Sequence, residues 1–226
     1  MLIAEIGNNH LGDMNKAKEL IRAAHESGAD VVKSQAFLAR DITSGSMPKE
    51  FYRQCEFSFH QYVELIRYAQ EIGTDLFYSI FSRALEPLMI HQRYHKIAGA
   101  QSAVGFNFVE KKDADNVLVS VKEGSKKPDL KRARILHVSE YLTTFPGLKN
   151  IDLLSEYYGR QAGYSDHTVG IDACIQAIEI HGANVIEKHF TTTRDIFFGG
   201  VQYRDAIHAA LPEELSQLST RWGNRV

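Results

Sequence analysis

Short apolar runs alternate along this chain with longer amphipathic stretches. Three segments share one form, in which a helix end is followed by a glycine and then a strand. They are Ser27-Gly28-Ala29-Asp30-Val31-Val32-Lys33, Ile72-Gly73-Thr74-Asp75-Leu76-Phe77-Tyr78 and His181-Gly182-Ala183-Asn184-Val185-Ile186-Glu187. A glycine in the left-handed conformation closes a helix and lets a strand start at once. Ahead of the first segment, Asp13 is placed to cap a helix with Ala17, Leu20, Ile21 and Ala24 on one face. Ahead of the second, Ser58 and Gln61 form a capping box before Val63, Ile66 and Ala69. The stretch Gly170 to His181 carries Ile171, Cys174, Ile175 and Ile178 at helical spacing. With its flanking runs it reads as strand, crossover helix, parallel strand.

Five further runs, Leu2 to Ile6, Tyr94 to Ala98, Asn116 to Val121, Arg134 to Val138 and Ala162 to Ser165, bring the strands to eight. Eight strands alternating with helices predict an α/β fold, a (β/α)8 TIM barrel forming a single compact domain over residues 1–226, with shortened helices. A doubly wound open sheet is the alternative. The fourth and fifth helices are the weakest, because 105–113 is brief and 124–133 contains Pro128. The longest irregular stretch, 36–57, follows the second strand and would overhang the mouth of a barrel.

Composition narrows the setting. A chain of 226 residues with 44% hydrophobic content can bury a full core, and a net charge of -2 provides no field for nucleic acid or an anionic membrane surface. No apolar run approaches the roughly 20 residues that cross a bilayer. Cys55 and Cys174 form no CxxC pair, so buried thiols and a reducing, cytoplasmic location are expected rather than a disulfide framework.

Polar residues then stand out at or near the carboxyl ends of the predicted strands: Glu5, Lys33 with Gln35, Ser79, Lys96, Ser120, His137, Ser165 with His167, and Glu187 with His189. A barrel would gather them at one mouth. Adjacent parallel strands lie roughly 4.8 Å apart, so His167 and His189 could converge on one divalent metal. Glu187 and His189, two apart in a strand, share a face. Such a set suits a phosphorylated or carboxylated substrate with a metal. Taken singly, Lys33 and Lys96 could snorkel at strand ends, and Glu187 could be a buried acid paired with Lys33 or Lys188. His25, His60, His91, His95, His181 and His208 read as surface or satisfied core residues. The basic run Lys122, Lys126, Lys127, Lys131, Arg132 and Arg134 reads as a solvated loop face.

Six segments resemble, in order, motifs of the sialic acid synthase family, the phosphoenolpyruvate-dependent synthases of nine-carbon sugar acids. Ala4-Glu5-Ile6-Gly7-Asn8-Asn9-His10-Leu11-Gly12 resembles the opening AEIGxNHxG, Val32-Lys33-Ser34-Gln35 its VKxQ strand, and Phe81-Ser82-Arg83 its third-strand turn. Lys96-Ile97-Ala98-Gly99-Ala100 stands where the family has KIGSG, while Tyr164 to Thr168 and Glu187-Lys188-His189-Phe190-Thr191 match SDHT and EKHFT.

The resemblance implies a barrel that condenses phosphoenolpyruvate with an N-acylated amino sugar in its aldehyde form, releasing phosphate. It implies a divalent metal, usually Mn2+, with His167 and His189 as the only protein ligands, polarising the aldehyde carbonyl. Lys33 and Lys96 would neutralise phosphate and carboxylate, with Ser79, Ser120 and Ser165 donating to the same anion. Gln35 would join the substrate contacts, Glu5 would hold sugar hydroxyls, and Glu187 would transfer a proton as water adds. A homodimer is the family's assembly.

The departures fall on substrate contacts. Full-length members carry a small antifreeze-like C-terminal domain that supplies an arginine to a partner's barrel, and this sequence ends at Val226 without one. Gly99 replaces a serine, and Val121-Lys122 follows Ser120 in place of TGM. His137-Val138-Ser139-Glu140-Tyr141-Leu142 replaces HCxSxYP, displacing a sugar-contacting tyrosine and bringing in an acid. The 192–204 loop is longer and lacks PGPD, leaving Asp205 as its candidate sugar-binding aspartate. Two further readings follow: a barrel that has lost catalysis and serves as a binding or assembly partner, and a metal-dependent aldolase or isomerase that does not use phosphoenolpyruvate.

Overall fold

The computed structural model describes residues 1–43, 46–98, 114–125 and 127–223. Its strands are β1 (Leu2–Gly7), β2 (Val31–Ala36), β3 (Leu76–Ile80), β4 (His95–Ile97), β5 (Val117–Val121), β6 (Arg134–Val138), β7 (Gly163–Asp166) and β8 (Ile186–His189). Each pairs in parallel with the next, and β8 pairs with β1, so the sheet closes into a barrel and the open-sheet alternative falls.

Alternation along the strands sorts the side chains into two populations. Outward residues such as Leu2, Ala4, Val32, Tyr78, Val119, Ile135 and Ile186 join one apolar cluster with the helices. Inward, Ile3, Val31, Phe77, Leu118, Leu136 and Val185 form a separate apolar floor at the amino-terminal end. Gly163 takes the corresponding place on β7, where a Cβ would lie 2.6 Å from the Val185 carbonyl oxygen. Two residues further along, the inward positions turn polar on every strand except β6, where Val138 takes that place.

Helix boundaries follow local chemistry. Asp13 caps α1 (Met14–Glu26), accepting from the Asn15 and Lys16 amides, and Ser58 with Gln61 completes both halves of the capping box of α3 (Phe59–Glu71). Gly28, Gly73 and Gly182 all have positive φ, as the helix–glycine–strand reading requires. Crossover helices Lys149–Tyr158 and Asp172–Glu179 complete the later units, and Pro212–Gly223 closes the outer layer. The described residues of 122–133 contain no helix, and 105–113 lies outside the described residues. No described helix is long and apolar enough to cross a membrane. Cys55 and Cys174 are free and buried.

The 36–57 stretch differs from the loop expected. It contains a helix, α2 (Lys49–Cys55), whose Phe51 and Cys55 pack with Phe37, Ile196, Tyr203 and Ala206 in a second apolar cluster. That cluster ties the excursion after β2 to the segment after β8. The latter carries a hairpin, Phe197–Phe198 with Val201–Gln202, turning through Gly199 and Gly200.

Gly12 is where the loop after β1 meets α2. Its φ is +80°, and a Cβ would sit 1.9 Å from the Gln54 carbonyl oxygen. Gly12→Ala is therefore expected to cost roughly 2 kcal/mol, combining left-handed strain with a backbone clash. Urea denaturation measures it, and an unchanged midpoint would show that the loop shifts freely.

Candidate active site

The inward positions above the apolar floor surround a cavity of about 510 Å³ at the carboxyl ends of the strands. Glu5, Lys33, Ser79 and Lys96 line one side, and Ser120, Ser165 and Glu187 the other. One further step up the strands, Gln35, His167 and His189 reach the same space. The predicted rim is thus assembled by the closure of eight short strands. Asp205 lies buried beside it without lining the cavity, its Oδ2 accepting from the Tyr203 hydroxyl at 2.7 Å.

Four buried charges meet at the centre. Lys33 is ion-paired with Glu5, reaches Ser79 Oγ at 3.2 Å and stands 3.8 Å from Glu187. Lys96 Nζ donates to Glu187 Oε2 at 2.8 Å, and Ser165 Oγ donates to Oε1 at 2.8 Å. Both lysines are buried, so neither snorkels to solvent. Burial alone would raise the Glu187 pKa, but Lys33 and Lys96 outweigh it and hold the carboxyl at about 2. Burial lowers Lys33 to about 8 against the opposing attraction of Glu187. The four formal charges cancel, so an incoming anion would take the lysines over from the two glutamates.

The histidines form a second group. Ring centroids of His167 and His189 lie 5.3 Å apart, and the Nδ1 atom of each is buried with no hydrogen-bond partner among the described residues. Burial lowers the pKa of both, His167 to about 4, so both rings are neutral, the form that ligates metal. An unpartnered buried nitrogen costs about 1–3 kcal/mol unless something binds it. The donor chemistry therefore fits a divalent metal.

Behind the wall, Asp166 and Lys188 alternate with the inward residues and point into the helix layer. Their 2.6 Å ion pair is completely buried. Lys188 also donates to the Thr168 carbonyl at 2.6 Å, and Asp166 accepts from the Tyr164 hydroxyl at 2.8 Å and the Thr168 amide at 3.0 Å. Lys188 is therefore not Glu187's partner. The pair instead fixes the chain on either side of His167 and next to His189.

The Asn8–Gly12 motif proves largely structural. Asn9 Nδ2 donates to the Phe190 carbonyl at 2.8 Å, latching the end of β1 to the end of β8. His10 Nδ1 accepts from the Gly12 amide at 3.0 Å and its ring stacks on Phe57, while burial holds its pKa at about 3, the neutral acceptor form. Asn8 reaches the site, donating to Gln35 Oε1 at 3.1 Å.

Several expectations need correction. His137 belongs to the outward face, because Leu136 and Val138 are the inward residues of β6. It stacks on Tyr164 and contacts the Pro146 carbonyl at 2.8 Å. Tyr141 is not displaced from the site: it lines the cavity with its ring 4.4 Å from that of His167 and the Arg204 guanidinium 3.8 Å above it. The acid beside it, Glu140, is exposed and pairs with Lys122 at 3.3 Å. Lys122 borders the cavity mouth while remaining exposed, as the solvated basic run requires. His208 is neither a surface nor a satisfied core residue. It is fully buried, its centroid 4.8 Å from His189 and 5.5 Å from His167, and both ring nitrogens lack hydrogen-bond partners among the described residues. Gly99 and the KIGSG position fall outside the described residues.

Known proteins match this chain over nearly its whole length. The chain is 30% identical to N,N'-diacetyllegionaminic acid synthase of Campylobacter jejuni over 98% of its own length and 75% of that protein. It is also 30% identical to N-acetylneuraminate-9-phosphate synthase of Homo sapiens, over 96% of this chain and 67% of that one. The crystal structure of N-acetylneuraminic acid synthetase from Leptospira borgpetersenii superposes with a TM-score of 0.78 at 27% identity, covering 97% of this chain and 81% of that chain. A family profile agrees: it matches residues 20–224, and the chain belongs to the NeuB family.

Proposed function

We propose that this barrel, as one catalytic domain over residues 1–226, condenses phosphoenolpyruvate with the open-chain aldehyde of an N-acylated amino sugar. The products are a nonulosonic, sialic-acid-like sugar acid and phosphate. The observation that carries the reading is the pair of buried ammonium groups, Lys33 and Lys96, facing a cavity beside buried histidines whose Nδ1 atoms have no hydrogen-bond partner among the described residues. Relatives named as legionaminic and neuraminic acid synthases support it.

In this reading Lys33 and Lys96 bind the phosphate and carboxylate, with Ser79, Ser120 and Ser165 as hydroxyl donors. The enol carbon of phosphoenolpyruvate bonds to the aldehyde carbon, whose oxygen takes a proton. Water adds to the adjacent electron-poor carbon, and the bond from that carbon to the phosphate oxygen then breaks, leaving a keto acid. Glu187 accepts the proton from the adding water. With both lysines on it Glu187 is a weak base, and it gains basicity as the substrate anion draws them away. Glu5, released from Lys33 in the same exchange, accepts sugar hydroxyls together with Gln35 and Asp205, whose Oδ1 stands 3.9 Å from Arg204 Nε and accepts no hydrogen bond among the described residues. A divalent metal, Mn2+ by family resemblance, fits at His167 and His189 and supplies polarisation of the aldehyde carbonyl when bound.

Purified protein with Mn2+, phosphoenolpyruvate and a panel of N-acetylated hexosamines is expected to release phosphate with at least one sugar. His167→Ala and His189→Ala are each expected to weaken metal binding by more than about 100-fold in calorimetric titration, beyond the 10–100-fold that outer partners cost. No release from any sugar, with metal shown to bind, would favour a barrel that serves as a binding partner.

A further inference from the structure

Resting on the metal reading of His167 and His189, we propose that His208 is a third imidazole ligand, making a three-histidine centre that favours Zn2+ or Co2+ over Mn2+. The three side chains each offer a ring nitrogen, and these atoms lie within 4.8 Å of one another. Ligand nitrogens on one tetrahedral zinc stand roughly 3.4 Å apart, so small rotations of the rings suffice to bring them onto one ion.

His208 is supplied from outside the barrel wall. It follows the short helix Arg204–Ile207, and the chain is anchored there by a bridge between Phe190 and Ala210 alongside the end of β8. Ala210 N–H donates to the His189 carbonyl, and Thr191 N–H donates back to the Ala210 carbonyl at 3.0 Å. That bridge sets His208 against His189, with an edge-to-face angle of 84° between the rings. Among the described residues neither ring nitrogen of His208 has a hydrogen-bond partner. A buried imidazole with both nitrogens unsatisfied is unusual in a core. One nitrogen on a metal and the other turned to a backbone carbonyl is the common arrangement of a ligating histidine.

A third nitrogen donor changes metal choice. Two imidazoles leave most positions to oxygen, which suits Mn2+, whereas three imidazoles match the nitrogen-rich catalytic sites of zinc and stand higher for later first-row metals. Fewer positions then remain for water and substrate.

Chelator-stripped full-length protein would be titrated with Zn2+ and Mn2+ by calorimetry, and with Co2+ by visible absorption, for the wild type and for His208→Ala and His208→Cys. His208→Ala is expected to lose more than about 100-fold in Zn2+ affinity, with Mn2+ affinity falling less, and His208→Cys to recover most of the Zn2+ loss. The Co2+ spectrum is expected to change in His208→Ala. X-ray absorption of the zinc-loaded wild type, which needs no variant to fold, is expected to count three imidazoles. Two imidazoles, or unchanged Zn2+ affinity in His208→Ala while His167→Ala and His189→Ala still weaken it, would overturn the third ligand alone. A wild type that binds none of these metals would overturn the two-histidine site with it.

Discussion

Lys33→Met is expected to lower phosphate release from phosphoenolpyruvate by roughly 1000-fold and to abolish binding of the substrate anion while leaving metal affinity in place. The same change is expected to reduce stability by about 3–5 kcal/mol, because it strips the partner from Glu5 and removes one of two cations beside Glu187. The two effects can be separated. Adding Glu5→Gln to Lys33→Met removes the unpaired carboxylate and should restore much of the urea midpoint without restoring turnover. A single variant that keeps its activity would remove Lys33 from anion binding.

The pH profile gives a second handle on the same group. Anion binding needs the ammonium form, and burial places the Lys33 pKa at about 8, so kcat/KM for phosphoenolpyruvate is expected to fall as pH rises through about 8. Lys33 and Glu187 act on stability in different windows. Between about 8 and the unfolded value of 10.5, the unfolded chain holds a proton that folded Lys33 has released, so this lysine's contribution rises with pH there. Glu187, held at about 2, contributes stability that is complete above its unfolded value of 4.5 and is lost as pH falls from 4.5 toward 2.

Lys188→Met is expected to be the most destabilising single change behind the cavity wall, at about 3–5 kcal/mol, since it leaves Asp166 charged at zero exposure. Burial pushes the Asp166 carboxyl up, and Lys188, with the Thr168 amide and Tyr164 hydroxyl, brings it below its usual range. Without Lys188 the carboxyl can take up a proton, so the penalty should shrink as pH is lowered. The double variant Asp166→Asn with Lys188→Met keeps the volume and most neutral hydrogen bonds and is expected to recover most of the loss. Metal affinity should still fall in the double variant, because the chain carrying His167 loses the Lys188 bond to the Thr168 carbonyl. Equal urea midpoints for wild type and Lys188→Met would show that the pair contributes nothing net.

Much of the barrel was legible from the chain because its signals are local. Asp13 and Ser58 cap helices through amides within three residues, and Gly28, Gly73 and Gly182 take the conformation their turns demand. The period of two placed Glu187 with His189 and Ser165 with His167 on one face; that this face, and not the equally polar one of Asp166 and Lys188, is the inner one was decided by the closed barrel. On β6 the same rule gave no phase. His137 lies between two apolar neighbours, Leu136 and Val138, and only the closed sheet shows that these face inward. Helix α2 was hidden because it starts at Pro48 with no side-chain cap and is held by an apolar cluster drawn from three distant segments.

The chain by itself determined the eight strands, the neighbouring histidines His167 and His189 and the two lysines, because periodicity, capping and strand-end polarity act between residues close in sequence. Tertiary structure alone decided which charges meet and what else joins them. Glu187 finds Lys96 across 91 residues, Arg204 covers Tyr141, and His208 reaches His167 and His189 only because the chain after β8 bridges back alongside Phe190. No local pattern marks such residues, since a lone histidine beside Ala206, Ile207, Ala209 and Ala210 looks like core until the closed barrel leaves its nitrogens without partners among the described residues.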